Sequence, residues 1–180
     1  MVFFIKRKTL AMTESSNNYQ VNESFHKLSD RWTLWAHLPH NTDWSMKSYI
    51  KIYTFSHVEE VIAVSETLPN ILVENCMLFL MREGIKPMWE DERNRKGGSF
   101  SYKTTKNIAS VWKNLVYVVT GGTISKQNDF VNAVMGISIS PKKNFCIIKV
   151  WMTNRLYQNP TAVSILSPAG CLFKNHEPEH

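Results

Sequence analysis

A chain of 180 residues, 43% of them hydrophobic, has enough apolar material for one domain with a substantial core and too little length for two. A net charge of +6 and a pI near 9.2 admit an anionic partner such as nucleic acid without identifying one. A mean hydropathy of −0.25 and the lack of any apolar run of bilayer length set aside a membrane-spanning protein.

The opening MVFFIKRKTLAM places its apolar patch before its charges, the reverse of a secretory signal. With the polar TESSNNYQVNES after it, the stretch 1–24 reads as a disordered tail, leaving 25–180 as a single domain. Asn22-Glu23-Ser24 has the form of a glycosylation sequon and is expected to stay unmodified in a chain without a signal. RWTLWAH, 31–37, reads as a strand, followed by the polar loop LPHNTDWS that carries Trp44. KSYIKIYTF, 47–55, alternates polar and apolar residues and reads as a second strand.

Ser56 followed by Glu59 has the form of a capping box, and Val58, Val61, Ile62, Ser65 and Leu68 fall on roughly one face, which predicts a helix. CMLFLM, 76–81, is apolar enough for a strand buried on both faces. FSYK after Gly97-Gly98 predicts the returning strand of a hairpin with it. Over 105–120, Ile108, Val111, Trp112, Leu115 and Val119 recur at helical spacing before Gly121-Gly122, a stop signal. AVMGISIS and FCIIKVWMT alternate around PKKN, which predicts a hairpin with Lys142 and Lys143 at its tip and Phe145, Ile147, Lys149 and Trp151 sharing a face. Asn159-Pro160 opens a short helix expected to stop near Pro168. Strands interrupted by helices without regular alternation imply an α+β domain with the helices on one side of an antiparallel sheet.

Cys76, Cys146 and Cys171 are odd in number and far apart, which suggests neither a disulfide framework nor a zinc site. Trp32 and Trp35 point to opposite faces of their strand and read as core, as does Trp112 on its helical stripe. Trp44 and Trp89 lie in polar connections, so for each alone a functional and a structural reading remain open. Two tryptophan rings on neighbouring loops can take one flat ring between them, with stacking worth roughly 1–3 kcal/mol. A positive charge on that ring adds a cation–π contribution of about 2 kcal/mol once water is excluded. A carboxylate at the edge can accept both donors of guanine's Watson–Crick edge, and Glu90 beside Trp89 is placed for that. Lys142, Lys143 and Lys149 are candidate phosphate contacts, with a solvated turn as the competing reading. WEDE as an acid–base or metal cluster and the histidines of HLPH as metal ligands are weaker readings than exposed ion pairs and a loop. Neither Gly-Gly pair fits a phosphate-binding glycine loop.

HKLSDRWTLW followed by Trp44, then GIKPMWEDERNRKGG at 84–98, then the hairpin ending CIIKVWMT, resemble the messenger-RNA cap-binding translation initiation factor 4E family over about 26–173. The resemblance implies a cupped antiparallel sheet with helices on its convex back and 7-methylguanosine in its concave mouth. It also implies that Trp44 and Trp89 stack on the base, that Glu90 reads the guanine edge, that Trp151 lies near the N7 methyl, and that Lys142 falls at or beside a phosphate-binding cation. Departures from the family pattern are Ile147 and Ser99 at basic positions, Ile62 where a tryptophan usually grips partner helices, and Lys113-Asn114 where a Leu-Glu pair is common. Phosphate affinity is therefore expected to be reduced. His26, Val58, Ile62 and Tyr117 mark the expected partner face for the scaffold factor 4G and binding-protein repressors, and the chain ends early for the family. The expectation is a cytoplasmic, monomeric, non-enzymatic cap-binding protein of translation initiation, without cofactor or metal. Its rivals are a cap-binding competitor or repressor with altered scaffold binding, and an interaction module with weakened cap affinity. A decapping hydrolase is disfavoured, since no Gly-x5-Glu helix followed by Arg-Glu-x2-Glu-Glu is present.

Overall fold

The computed structural model describes residues 25–176; the expected tail over 1–24 and its sequon lie outside the described residues. Seven antiparallel strands form one sheet: β1 (Lys27–His37), β2 (Tyr49–His57), β3 (Met77–Arg82), β4 (Gly98–Thr104), β5 (Val134–Pro141), β6 (Cys146–Met152) and β7 (Leu172–Asn175). Their order across the sheet is β2-β1-β3-β5-β6-β4-β7. β1 begins ahead of the expected Arg31 because backbone pairing extends it, with Lys27 opposite His57 and the Val58 N–H donating to the His26 carbonyl. Its exposed first residues carry no alternation that a pattern could register.

The hairpin expected between β3 and β4 does not form. β3 lies between β1 and β5, with both edges taken, whereas β4 pairs with β6 and β7. Adjacency in sequence favours pairing of successive strands but does not require it. Gly97-Gly98 therefore serves close approach between strands: a Cβ on Gly97 would lie 1.8 Å from the Met152 carbonyl oxygen, and one on Gly98 2.6 Å from that of Lys174.

Four helices, α1 (Val58–Thr67), α2 (Asn70–Asn75), α3 (Ile108–Thr120) and α4 (Asn128–Ala133), cover one face of the sheet. The cap of α1 falls one residue later than the sequence suggests. His57 is the N-cap, and Glu60 reaches back to accept from the backbone N–H groups of Ser56 (2.6 Å) and His57 (2.9 Å). Glu59, the residue expected in that role, turns outward to His26. The run after Asn159 makes a single 3-10 turn, Pro160–Ala162, with the Asn159 side chain accepting from the Thr161 N–H. Val163 is the one fully buried residue over 160–168, too little apolar anchoring to hold a longer helix.

The main core lies between helices and sheet. Val61, Val64, Val73, Trp112, Leu115, Val116, Val119, Phe130 and Ala133 pack on the strand residues Trp32, Leu34, Leu80, Phe100, Ile137, Ile148 and Val150. The opposite, open face carries a second apolar cluster of Phe79, Met81, Ile85, Met135 and Trp151, with Trp35, Tyr49 and Met77 packed against it. Trp32 and Trp35 thus divide between the two faces, as a separation of three along a strand requires.

Candidate functional site

Trp44 lies between β1 and β2, in a loop organised by one carboxylate. Asp43 accepts from the Ser45 N–H (2.8 Å) and hydroxyl (3.0 Å), and its own N–H donates to the Asn41 side chain (2.9 Å). The bonds from Ser45 hold the Asp43 carboxyl below the usual carboxylate range. Trp44 itself is 53% exposed, with its indole stacked on the imidazole of His37 at 4.3 Å and 4° from parallel.

A second loop, between β3 and β4, carries Trp89 and Glu90 and has the same logic. Asp91 accepts from the N–H groups of Lys86 and Arg93 (both 3.0 Å), and the fully buried Asn94 donates to the carbonyls of Met88 (2.8 Å) and Lys86 (3.2 Å). Two short side chains thereby satisfy the backbone of a turn with no ladder partner. Trp89 is left 38% exposed and Glu90 is exposed beside it. Asp91, read from the sequence within a possible acid or metal cluster, is spent on holding this loop.

Tyr49 connects the two loops. Its ring meets His37 edge-on at 5.2 Å, and its hydroxyl is pushed above the usual tyrosine range first by burial and then by the charge of Glu90. Beneath them Tyr49 contacts Phe79 and Phe79 contacts Trp151, which is only 6% exposed and donates its Nε1–H to the Ser138 hydroxyl (2.9 Å). Trp44 thus connects to Trp151 through the rings of His37, Tyr49 and Phe79, and Glu90, next to Trp89 in the chain, lies close enough for its charge to act on the Tyr49 hydroxyl.

Lys142 and Lys143 are exposed at the β5–β6 turn, as expected, while Lys149 is half-buried on the open face. Burial holds the Lys149 amine below the usual lysine range, and the charges of Lys174 and Lys142 push the same way. Among the described residues none of these three lysines forms an ion pair, so their charge is available to an anion. Ile147 and Ser99 lie on the same face: Ser99 is opposite Trp151, and Ile147 opposite Lys103.

Three residues of this region, Tyr49, Lys174 and His176, carry no sequence signal, and His37 is marked by the sequence only as a weak metal-ligand candidate. His176 contacts the Trp151 ring at 5.0 Å and its Nδ1 lies 2.9 Å from the Asn94 carbonyl, tying the chain after β7 to the Trp89 loop. No motif marks it, because its partners lie far away in sequence. His37 carried a signal, a polar residue at the inner end of a strand, which HLPH was read for only in terms of metal.

The helix face holds a second feature. An apolar groove of about 390 Å³ is lined by Leu28, Val58, Val61, Ile62, Tyr117, Thr120 and Gly121. Val58 and Ile62, placed by their spacing on the helix's packed stripe, remain exposed at its rim, Ile62 at 47%. His26 is held there by Glu59 through its ring (2.7 Å) and its backbone N–H. Nearby, Glu66 accepts from Lys113 (3.0 Å) and from the Tyr117 hydroxyl (2.8 Å).

An open antiparallel sheet with helices on one face and an aromatic cluster on the other, flanked by loops that each carry an exposed tryptophan, defines an α+β class. Residues 27–167 match the family model described as Eukaryotic initiation factor 4E. The chain is 34% identical over 151 residues to eukaryotic translation initiation factor 4E of Candida albicans, covering 77% of this chain and 71% of that protein. It is also 34% identical over 143 residues to eukaryotic translation initiation factor NCBP of Oryza sativa subsp. japonica, covering 76% of this chain and 61% of the rice protein. Solved structures with the same fold include Ascaris suum eIF4E-3 with m7G cap, at TM-score 0.64 and 23% identity over 73% of this chain and 76% of that one. Schistosome eIF4E complexed with m7GpppG and 4E-BP aligns at TM-score 0.67 and 21% identity, over 74% and 75% of the two chains. The chain belongs to the eukaryotic initiation factor 4E family.

Proposed function

We propose that this chain binds the 7-methylguanosine cap of messenger RNA in translation initiation, with the methylated base between Trp44 and Trp89 and its edge on Glu90. The observation that carries the reading is the pair of exposed tryptophans on two carboxylate-organised loops, with Tyr49 touching the His37 ring that backs Trp44 and lying within the field of Glu90. N7 methylation makes the base a cation, and a cation between two π faces gains attraction that a neutral guanine does not. Lys142, Lys143 and Lys149 face the phosphates in this reading. A tryptophan-fluorescence titration with 7-methyl-GTP and GTP tests it. Preference for the methylated nucleotide by a factor of ten or more, about 1.4 kcal/mol, is expected. Equal or absent binding by folded protein overturns it. Glu90→Ala is expected to lose the guanine preference and most of the affinity, because the paired donors of the base are left without an acceptor. The activity is binding without turnover, so the cap is expected to be recovered intact after incubation with divalent metal.

The groove along α1 and α3 fits the apolar face of an amphipathic helix, and the scaffold factor 4G and binding-protein repressors are its proposed partners. A second reading, a cap-binding competitor that does not recruit the scaffold, is favoured by Ile62 at the groove rim and by Lys113 engaged with Glu66. Capture of a scaffold peptide by the cap-loaded protein decides for the recruiter, and cap binding without capture for the competitor.

A further inference from the structure

Trp44 meets any ligand with one of its faces, because the other is covered. His37 is 2% exposed, and its ring lies 4.3 Å behind the indole and 4° from parallel. It is fixed there by Nε2, 2.8 Å from the Asp43 carbonyl, and by the edge of Tyr49. An indole backed by a neutral imidazole keeps its π electrons for a cation on the free face. Protonation of the imidazole puts a positive charge against that same ring, and two cations then compete for one quadrupole.

We propose that His37 is the positioning residue that holds Trp44 for a ligand, and that its protonation lowers the affinity of the Trp44 face for a positively charged ring while sparing that for a neutral one. The proposal rests on the charged-base reading of the slot. The titratable and charged groups facing His37 are Asp43 on its own loop and Tyr49 on β2, the latter within the field of Glu90; its partner on β3 is Met77. Asp43 has both carboxylate oxygens engaged by Ser45 and meets His37 through its carbonyl, so its carboxylate acts on the ring through its field alone, without a hydrogen bond.

Two measurements on the full chain test this, each at pH 8.0 and 5.5. The first is the fluorescence of ligand-free protein, since an imidazolium in contact with an indole quenches it by accepting an electron from the excited ring. The second is the affinity for 7-methylguanosine, the nucleoside, which removes phosphate titration, read as the ratio of parent to variant at each pH so that the base's own loss of its N1 proton toward alkaline pH cancels. The variants are His37→Phe, which keeps a stacked ring, and His37→Gln, which keeps a donor toward the Asp43 carbonyl; thermal melting verifies that each is folded. Acid quenching of the parent protein that a folded variant lacks, and a parent-to-variant affinity ratio that falls on the order of tenfold, about 1.4 kcal/mol, from pH 8.0 to 5.5, are the expected result. The same acid response in parent and variants overturns the proposal, as does quenching without any fall in that ratio. Failure of the parent and of the folded variants to bind the nucleoside at either pH overturns the cap-binding reading and the affinity part of the proposal together, while the quenching of ligand-free protein still reports whether His37 charges against Trp44.

Discussion

Trp112 and Trp44 show how differently one residue type is used. Trp112 is 2% exposed, packed among helix and strand residues, and Trp112→Ala is expected to cost about 3–5 kcal/mol of stability, read by chemical denaturation. Trp44→Ala is expected to cost only about 0.5–1.5 kcal/mol, the worth of its stacking on His37, since the loop itself is held by Asp43. Its larger cost falls on the ligand, roughly 1–3 kcal/mol of stacking in the cap titration. The first role was legible because Trp112 shares a helical stripe with Leu115 and Val119. The role proposed for Trp44 rests on the resemblance to a family, since a tryptophan in a polar loop has no periodic neighbours to say whether it is buried.

At the scale of elements, the two loops work because short polar side chains replace the missing ladder bonds. Asp91→Ala strips the Lys86 and Arg93 N–H groups of their acceptor, and faster amide hydrogen exchange at both is expected, with about 1–3 kcal/mol lost from cap affinity or stability. Gly97→Ala tests a different claim, that the Gly-Gly pair serves strand approach. The added methyl meets the Met152 backbone, which cannot rotate away, so a loss of at least about 1–3 kcal/mol is expected in thermal melts. If Gly97→Ala melts normally, the close approach of the segment before β4 to β6 is wrong. The strand and helix periods were readable, but the partner of β4 was not. A turn signal fixes where the chain bends, and the energy that chose β6 and β7 over β3 lies in contacts between distant segments.

At the scale of the whole molecule, two partly buried groups, His176 and Glu60, contribute to the response to acid. Burial holds His176 below the usual histidine range even though the bond to the Asn94 carbonyl opposes it. The unfolded chain therefore takes up this proton at a higher pH than the folded one. Stability is complete above the unfolded value, about 6.5, and is lost as pH falls from there to the depressed folded value. Glu60 acts in a lower window. Burial raises its carboxyl, but bonds from the Ser56 and His57 N–H groups, the Tyr53 hydroxyl and the Ser56 hydroxyl outweigh it and leave it below the usual range. Its contribution is present above the unfolded carboxylate value and is lost as pH falls through the folded one. Melting temperature is expected to fall in two steps on acidification, and His176→Phe to remove the upper step. A single-step profile unaltered by that variant would contradict the placement of His176 against Trp151 and Asn94.

The sequence by itself determined what depends on neighbours along the chain. The period of two in 145–151 put Lys149 and Trp151 on one face, the period of 3.6 buried Trp112, and the Trp89-Glu90 pair stood out within a turn-rich stretch. Only the tertiary structure decided what depends on distance in space. It left Val58 and Ile62 of an apolar stripe uncovered, set Lys174 beside Lys149, joined His176 to the Trp89 loop, and placed His37 behind Trp44. Backbone periodicity is a local property written residue by residue. The stacking of two rings from a strand end and a loop is settled only when the whole sheet fixes where both must lie.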